Sequence, residues 1–167
     1  MSHMLVFQRA LASEAPLLTE LAFASKSHWP YSVAQLQRWA PALEVTPSEM
    51  TGCPTVTARS GDTVVGFYQL RSGAEGTMRL EHFWLLPAFM GRGFGRAMLA
   101  NAAERVRDLG AERLSIESDP HAEAFYLACG AVRVGEVPAP IEGADTGCFR
   151  CSNYLCRCPK DRETEVN

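Results

Sequence analysis

The sequence predicts an α/β fold in a single domain, with a central mixed β-sheet flanked by helices. Strand-like and helix-like segments alternate along the chain. One stretch, residues 77–103, has the pattern of a strand, a glycine-rich turn and a helix. The length of 167 residues, with 47% hydrophobic and 21% charged residues, allows a proper core. We expect one domain over residues 5–158.

The first half of the chain is expected to supply three strands and two helices. The expected strands are residues 5–9, 55–60 and 63–71, the last two joined as a hairpin around Gly61-Asp62. The first helix is expected over residues 14–27, with Ser13 as its cap and an apolar face of Leu17, Leu18, Leu21 and Ala22. The second is expected over residues 32–40, with Val33, Leu36 and Trp39 on one side. The prolines of residues 41–54 predict an irregular connection.

The second half begins with the strand–turn–helix unit. Its strand, residues 78–86, is closed by Pro87, and its helix, residues 93–109, stops before Gly110. The expected apolar face of this helix is Met98, Leu99, Ala102, Val106 and Leu109. The remaining expected elements are strands at residues 113–118, 131–136 and 148–156, a helix at 120–129 and a mobile charged tail at 159–167. Residues 1–4, Met-Ser-His-Met, resemble a cloning scar and are not expected to belong to the fold.

Charge and hydropathy narrow the class of protein. A net charge of −3 gives no electrostatic footprint for general nucleic-acid binding. No apolar run reaches the length of a membrane helix, and the N-terminus has no basic-then-apolar signal pattern. We therefore expect a cytoplasmic protein with neither a nucleic-acid nor a membrane partner.

The glycine-rich turn predicts an anion site. Gly91, Gly93 and Gly95 allow the backbone to approach a ligand, and the helix start adds unpaired N–H donors with a partial positive charge. Arg92 and Arg96 add formal positive charge. The spacing Gly-x-Gly-x-Gly lacks the third glycine of the dinucleotide fingerprint, and no Gly-Lys-Ser/Thr follows. The turn is therefore predicted to bind phosphates of another kind of ligand.

Two segments resemble the GCN5-related N-acetyltransferase (GNAT) family. Residues 85–97, Leu-Leu-Pro-Ala-Phe-Met-Gly-Arg-Gly-Phe-Gly-Arg-Ala, resemble its motif A, Gln/Arg-x-x-Gly-x-Gly/Ala, with Met90 at the usual Gln/Arg position. Residues 116–131, which contain Ala-x-x-Phe-Tyr, resemble its motif B, in the family's order and at its usual separation. The resemblance implies a GNAT-like fold whose sheet is partly splayed, between the strands that end near Leu86 and Ser118, with acetyl-CoA in the opening.

The resemblance also implies which residues bind the coenzyme. The loop amides would hold its pyrophosphate, and a bulged strand would present the backbone of Trp84 and Leu85 to the acetyl and pantetheine groups. Asp119 would lie beside the pantetheine arm, or serve as a helix cap, or both. The expected coenzyme-binding residues are Trp84, Leu85, Met90, Gly91, Arg92, Gly93, Phe94, Gly95, Arg96, Asp119 and Tyr126.

The implied reaction is direct transfer of an acetyl group from the thioester to an amine, which needs a base and an acid. Glu81 resembles the family's catalytic Glu or His in its strand position, and apolar Phe83 nearby would make its carboxylate a stronger base, which suits proton abstraction at neutral pH. The alternatives are a salt bridge, for instance with Arg79, or His28 as the base. Tyr126 matches the family's tyrosine that protonates the leaving thiolate, although a core tyrosine is the alternative.

The acceptor pocket is implied only by position in the family, between the first two helices and the last hairpin. The expected acceptor-binding residues are His28, Trp29, Tyr31 and Glu81. Aromatic rings there can stack on an apolar or cationic group. Trp39 shares a helical face with Leu36, which favours a core position for it.

Four clustered cysteines, Cys148, Cys151, Cys156 and Cys158, have the spacing Cys-x-x-Cys and Cys-x-Cys. They could supply four thiolates to zinc and form a metal-dependent partner site. Their span is tighter than a zinc ribbon, and alternation along a strand would separate them onto two faces. We therefore expect no metal, and packing or exposed thiols instead.

The resemblance thus implies an acetyl-CoA-dependent N-acetyltransferase that acts on a primary amine of a small molecule or protein. Two alternatives stay open. One is a non-catalytic module that binds or senses acyl-CoA, in which Glu81 and Tyr126 are idle, and the other is an acyltransferase with a longer acyl donor. A homodimer is expected because dimers are common among small enzymes.

Overall fold

A computed structural model describes residues 4–138 and 150–157. The strands are β1 (Leu5–Arg9), β2 (Thr55–Ser60), β3 (Thr63–Ser72), β4 (Thr77–Leu85), β5 (Arg113–Ser118), β6 (Val132–Pro138) and β7 (Arg150–Arg157). The helices are α1 (Ala15–Lys26), α2 (Val33–Leu43), α3 (Pro47–Gly52), α4 (Phe94–Asp108) and α5 (Glu123–Ala128). Short 3-10 turns cover Ala12–Glu14, Pro87–Phe89 and Pro120–Ala122.

The described strands form one 7-stranded sheet in the order β1-β2-β3-β4-β5-β7-β6. Neighbours are antiparallel except β4 and β5, which are parallel, so the predicted mixed sheet is confirmed. The β4–β5 pairing extends only from Thr77↔Arg113 to Leu80↔Ile116. Beyond Leu80 the two strands are no longer paired, which is the splayed arrangement that the family resemblance implied.

Helices cover both faces of the sheet and bury most of the predicted apolar positions. On one face α4 packs against β3, β4 and β5 through Leu99, Ala102 and Val106. On the other face α1 packs through Leu18 and Leu21. Three positions predicted to belong to apolar, core-facing helix faces are exposed instead. They are Leu17 (45% exposed), Val33 (70%) and Leu109 (53%). Val33 is the first residue of α2 and Leu109 follows the last residue of α4, where fewer neighbours cover a side chain.

The segment predicted to be irregular, residues 41–54, is largely helical. Helix α2 continues through Pro41, and α3 begins at Pro47, where a missing N–H costs no helical hydrogen bond. Thr46 caps α3, because its hydroxyl accepts the N–H of Glu49 while the Glu49 carboxylate accepts the N–H of Thr46. The prediction of an irregular connection is wrong here, because a proline in the first turn starts a helix as readily as one in the interior breaks it.

Two smaller differences concern helix ends. Ser13 does not cap α1, since residues 12–14 form a 3-10 turn and Glu14 stands at the cap position. The helix predicted over residues 120–129 is a 3-10 turn followed by α5. Residues 1–3 of the predicted scar (residues 1–4) and the whole predicted tail at 159–167 lie outside the described residues. Within the described residues, no helix is both long enough and apolar enough to cross a bilayer.

Candidate functional site

A cleft of about 470 Å³ opens where β4 and β5 separate. Its walls are these two strands, the turn before α4, helix α5 and the end of α1. The residues of the predicted site that line it are Trp29, Glu81, Trp84, Leu85, Met90, Gly91, Gly93, Gly95, Arg96, Asp119 and Tyr126. The fold thus brings together residues that lie as far apart in the sequence as Trp29 and Tyr126.

The turn between β4 and α4 presents backbone N–H groups to this cleft. Gly91 and Gly93 have positive φ values of 72° and 81°, which glycine adopts without steric cost. The N–H of Ala97 donates to the carbonyl of Gly93 at 3.1 Å and so makes the first bond of the helix. Across the part of the chain that the structure describes, no backbone carbonyl accepts an N–H of residues 91–96. These donors are therefore available to an anion, as the sequence predicted.

The space above the turn is open, which a ligand needs. A Cβ atom built on Gly91 or Gly93 would meet no described atom within 4 Å. Gly95 has a different function, since a Cβ there would lie 3.1 Å from Cε2 of Phe125. This glycine therefore lets α4 pack closely against α5. The glycine pattern serves both the ligand site and the packing beneath it.

Some side chains of the turn line the cleft, and others pack against Phe89 instead. Arg96 lines the cleft, and its Nη2 lies 3.4 Å from the carbonyl oxygen of Ala128. Phe94 stacks on Phe89 at a ring separation of 5.9 Å, and the Arg92 guanidinium lies 5.7 Å from the Phe89 ring. The structure thus does not bring the Arg92 and Phe94 side chains to the cleft lining. Only their main-chain N–H groups belong to the cradle, by which we mean the backbone N–H groups of residues 91–96.

Strand β4 carries a bulge at Glu81. Gln69 of β3 pairs with His82 while the next residue, Leu70, pairs with Leu80, so Glu81 is an extra residue on β4. The family resemblance implied a bulge at Trp84 and Leu85, whereas the bulge in the structure lies three residues before Trp84. It lets Glu81 line the cleft while the adjacent His82 is buried in the opposite direction, against Phe67.

The pairing register of β3 and β4 after the bulge shows which backbone N–H groups of β4 face the gap between β4 and β5. Leu86 donates its N–H to the carbonyl of Val65 at 2.8 Å. Because bonded and non-bonded pairs alternate in an antiparallel ladder, the N–H of Trp84 points toward β3 and that of Leu85 points away from it. The Leu85 donor faces the side from which β5 has separated. Of the two predicted backbone donors, Leu85 is therefore the one directed into the cleft.

The carboxylate of Glu81 is surrounded by charge rather than by apolar groups. Its Oε1 lies 3.0 Å from Nε of Arg71 and 3.7 Å from Nη2 of Arg79. The salt bridge with Arg79, weighed as an alternative in the sequence, is thus present. The expected apolar setting beside Phe83 is wrong, because the hairpin register brings Arg71 of β3 next to the bulge.

His82 is held in a neutral form on the α1 side of the sheet. It is 8% exposed, and Nε1 of Trp84 donates to its Nδ1 at 3.0 Å. Burial lowers the pKa of His82, against the opposing influence of the nearby Glu49 and Glu81 carboxylates. An imidazole that accepts a hydrogen bond at Nδ1 and is desolvated does not carry a proton there.

Tyr126 forms part of the aromatic floor of the cleft. Its ring lies 5.0 Å from Phe125 and 6.1 Å from Phe83, and the residue is 6% exposed. Burial raises the pKa of the Tyr126 phenol, with smaller contributions in the same direction from the thiols of Cys156 and Cys129. The phenol therefore carries its proton at neutral pH and can donate it.

Asp119 at the end of β5 is bound by protein groups at both oxygens. Its Oδ1 accepts the backbone N–H of His121 at 2.9 Å, which confirms the cap interpretation. Its Oδ2 accepts the hydroxyl of Tyr31 at 2.5 Å and forms an ion pair with Lys26. Burial alone would raise the pKa of Asp119, but the Lys26 charge and the hydrogen bonds outweigh it and lower that pKa.

The segment between α1 and α2, residues 27–32, carries aromatic side chains, as predicted, but only some of these side chains reach the cleft. Trp29 lines the cleft and stacks on His121 at 5.2 Å with an interplanar angle of 9°. His28 is exposed and lies against the outer side of Trp29. Tyr31 packs edge-on against Trp39 at 4.6 Å. The structure thus brings Trp29 to the cleft and leaves His28 outside it.

Several residues that line the cleft were not predicted as site residues. They are Ser25, Lys26, Phe83, Glu117, Ser118, His121, Phe125 and Cys129. Phe125 is part of the motif that identified Tyr126, so its position was within reach of the same argument. Lys26 lies near the end of the predicted first helix, and its role depends on Asp119, which is 93 residues away.

The cysteine predictions are only partly within reach of the structure. Cys148 and Cys158 lie outside the described residues, as does the side chain of Cys151. Cys156 and Cys129 line a second groove of about 250 Å³ beside α4. Within residues 4–138 and 150–157 no group of three or more His, Cys, Asp or Glu side chains could hold a metal ion. The zinc alternative for the cluster stays untested.

Fold and site together define an α/β protein with an open cleft and a glycine-rich turn between two splayed strands. The family model described as acetyltransferase (GNAT) family matches residues 16–131, and the chain belongs to this family of acetyltransferases. No curated protein matched the chain.

Solved structures share the fold at low sequence identity. A GCN5-related N-acetyltransferase from Rhodopseudomonas palustris is 19% identical, with a TM-score of 0.75 and coverage of 91% of this chain and 94% of the other. The PaiA N-acetyltransferase from Thermoplasma acidophilum, solved with coenzyme A, is 15% identical, with a TM-score of 0.71 and coverage of 92% and 99%. A GNAT acetyltransferase from Elizabethkingia anophelis, solved with acetyl-CoA bound, is 13% identical, with a TM-score of 0.67 and coverage of 94% and 99%.

Proposed function

We propose that this protein is an acetyl-CoA-dependent N-acetyltransferase that moves an acetyl group to a primary amine by direct attack. The observation that carries the proposal is the continuity of the cleft. Unpaired amides of residues 91–96 stand at one end, and Leu85, Glu81 and Tyr126 stand along the gap that leads from them. A ligand with a diphosphate and a long thioester arm fits this arrangement, because the charged end meets donors and the arm meets apolar side chains.

The residues present fit coenzyme A on two independent counts. The cradle has both the free N–H donors and the open space that a pyrophosphate needs, since a Cβ at Gly91 or Gly93 would meet nothing within 4 Å. The arm of the cleft is lined by Phe83, Leu85 and Phe125, which suits a pantetheine chain. In related structures from Thermoplasma acidophilum and Elizabethkingia anophelis the bound molecule is coenzyme A or acetyl-CoA.

Three residues would then perform the chemistry. The N–H of Leu85 would donate a hydrogen bond to the thioester carbonyl oxygen and stabilise the negative charge that grows there. The Glu81 carboxylate would take a proton from the acceptor ammonium, directly or through a water. The Tyr126 hydroxyl would donate a proton to the departing sulfur, and its buried position keeps it protonated until then.

The acceptor enters, in this proposal, from the side of Glu81 and Trp29. Glu81 and Glu117 both line the cleft, and carboxylates at an entrance attract a positively charged amine. Trp29 offers a flat apolar surface next to them. His28 and Tyr31 contribute less directly, because His28 is exposed and the Tyr31 hydroxyl is bound to Asp119. A cytoplasmic location and a homodimer stay predictions from the sequence.

The decisive experiment measures coenzyme release across a panel of amines. Purified protein is incubated with acetyl-CoA and polyamines, aminoglycosides, amino acids or peptides, and free thiol is followed while mass spectrometry locates the acetyl group on nitrogen. Calorimetric titration with coenzyme A runs in parallel. Binding without thiol release above hydrolysis would favour the acyl-CoA-sensing alternative, and faster release from propionyl- or butyryl-CoA would favour the longer donor.

A further inference from the structure

The ammonium group of Lys26 is enclosed by groups that suit a positively charged nitrogen. Its side chain is 13% exposed and forms an ion pair with Oδ2 of Asp119. The Nζ atom lies 4.7 Å from the ring centre of Tyr31 and 4.4 Å from that of Trp39. A carboxylate with two aromatic faces is a recognition site for ammonium groups. The chain fills this site with its own amine.

This amine lies in the same cleft as the proposed reaction. Lys26 and Asp119 line the cleft together with Leu85 and Tyr126. The Asp119 carboxylate is near enough to Tyr126 to act on the pKa of its phenol. The four-carbon stem of a lysine allows Nζ to move by rotation about its last bonds when the ion pair opens. Lys26 can thus reach toward the space where the proposed function places the thioester.

Lysine is rare in this chain, which singles out Lys26 as an acceptor. Of the 16 lysines and arginines, only Lys26 and Lys160 are lysines, and Lys160 lies outside the described residues. The arginines are not competing acceptors, because a guanidinium stays protonated and is a poor nucleophile. Within the described part of the chain, the one lysine side chain is therefore the one that lines the cleft.

We propose that Lys26 is a self-acetylation site of this protein. The proposal rests on the proposed function, since the donor is the acetyl-CoA bound in the same cleft. Nζ loses a proton to water and forms a bond to the thioester carbonyl carbon, and the carbon–sulfur bond breaks. Coenzyme A leaves as the thiolate and takes up a proton. The products are Nε-acetyl-Lys26 and free coenzyme A.

The surroundings of Lys26 set the expected behaviour of this reaction. The ion pair with Asp119 restrains the amine, so the transfer is slow and ends at one acetyl group on Lys26. Acetylation removes the positive charge, which deprives Asp119 of its ion-pair partner and the Tyr31 and Trp39 rings of their cation. The contact between the end of α1 and the start of the α5 region is thereby weakened, next to the wall that the acceptor would use.

The test uses the full chain with acetyl-CoA and no added amine. Intact mass and peptide mapping follow acetylation of Lys26 and Lys160 with time, at several protein concentrations. Lys26→Arg keeps the positive charge beside Asp119 but removes the acceptor, and Lys160→Arg removes the other lysine. Urea-denatured chain and Gly93→Val measure acetylation that does not depend on the cradle.

We expect Lys26 to be acetylated about tenfold or more faster than Lys160, because it is held near the donor. The rate constant should not depend on protein concentration, and the modification should disappear in Lys26→Arg, in Gly93→Val and in denatured chain. Equal labelling of the two lysines, or equal labelling of native and denatured chain, would overturn the proposal. So would an unmodified Lys26 in protein that calorimetry shows to bind the donor.

The amine panel separates this failure from that of the proposed function. An unmodified Lys26 in protein that acetylates external amines overturns self-acetylation alone. An unmodified Lys26 in protein that binds the donor but acetylates no amine overturns both.

Discussion

Nε of Arg71 and Oε1 of Glu81 lie 3.0 Å apart across strands β3 and β4, at the residue where β4 bulges. The extra residue of a bulge is free of the ladder, so a partner is needed to hold its side chain in one direction. Arg79 adds a second contact at 3.7 Å and links the pair to Glu117 on β5, at 3.3 Å. The ion pairs therefore connect three strands at the point where the sheet separates.

Replacement of Glu81 by Gln tests the proposed base. If Glu81 accepts the proton of the acceptor ammonium, Glu81→Gln should lower kcat about 10²- to 10³-fold and alter the pH profile, while coenzyme affinity persists. Steady-state kinetics over pH and calorimetry with coenzyme A measure the two effects. Glu117→Gln is the control for cleft charge, since Glu117 also lines the cleft and pairs with Arg79, and it should raise the KM for the amine while kcat and the pH profile persist. Retention of the wild-type rate and profile in Glu81→Gln would remove Glu81 as the base.

Gly93→Val tests the amide cradle. Gly93 has a φ of 81°, and a β-branched residue there would incur about 1–2 kcal/mol of strain or turn the neighbouring N–H groups away. We expect calorimetric affinity for coenzyme A to disappear. Gly110→Val provides the same backbone strain, since Gly110 has a φ of 80° and lies past the opposite end of α4. If both variants lost affinity equally, or neither did, the cradle would not be the binding site.

Tyr126→Phe tests the proposed acid with little change in packing. The Phe ring preserves the contacts with Phe125 and Phe83, so coenzyme affinity should persist while kcat falls about 10- to 100-fold. Tyr68→Phe is the control, because Tyr68 is also a fully buried phenol but bonds to Asn101 at 2.6 Å, away from the cleft lining. A Tyr126→Phe enzyme as fast as the Tyr68→Phe enzyme would assign Tyr126 to the core alone.

The strand–turn–helix unit could be predicted because its signals are local. Alternate glycines, a proline at the strand end and apolar spacing all lie within residues 77–109, and the structure places β4 and α4 within two residues of the predicted bounds. The same kind of signal was present for α3. Thr46, Pro47 and Glu49 form a capping box with proline in the first turn, which marks a helix start as well as a break.

The environment of the site could not be predicted, because it depends on partners distant in sequence. The bulge at Glu81 arises from the count of residues on β3 against those on β4, so it exists only once the hairpin register is fixed. Arg71 reaches Glu81 for the same reason. Lys26 meets Asp119 only because β5 ends beside α1, which neither segment specifies by itself.

His82 provides a test of stability against pH that does not require activity. Its pKa is lowered by burial, so below the ordinary value of 6.5 the unfolded chain takes up a proton that the folded chain does not. The free energy of unfolding should therefore fall as pH decreases below about 6.5, with a slope of up to about 1.4 kcal/mol per pH unit from this group. Asp119 does not contribute to this change between pH 5 and 7. Its pKa is lowered in the folded chain, so the stability that its ionised form provides is lost only below its ordinary pKa of 3.8.

Urea unfolding of His82→Gln at several values between pH 7 and 5 measures this contribution. Glutamine retains an acceptor for the indole N–H of Trp84 but does not titrate, so the decline of unfolding free energy with falling pH should become shallower. His28→Gln, at an exposed position outside the cleft lining, is the control for a histidine-to-glutamine substitution as such. Parallel slopes in wild type and His82→Gln would mean that His82 takes up its proton in the folded chain, which the closed setting beside Phe67 and Trp84 argues against.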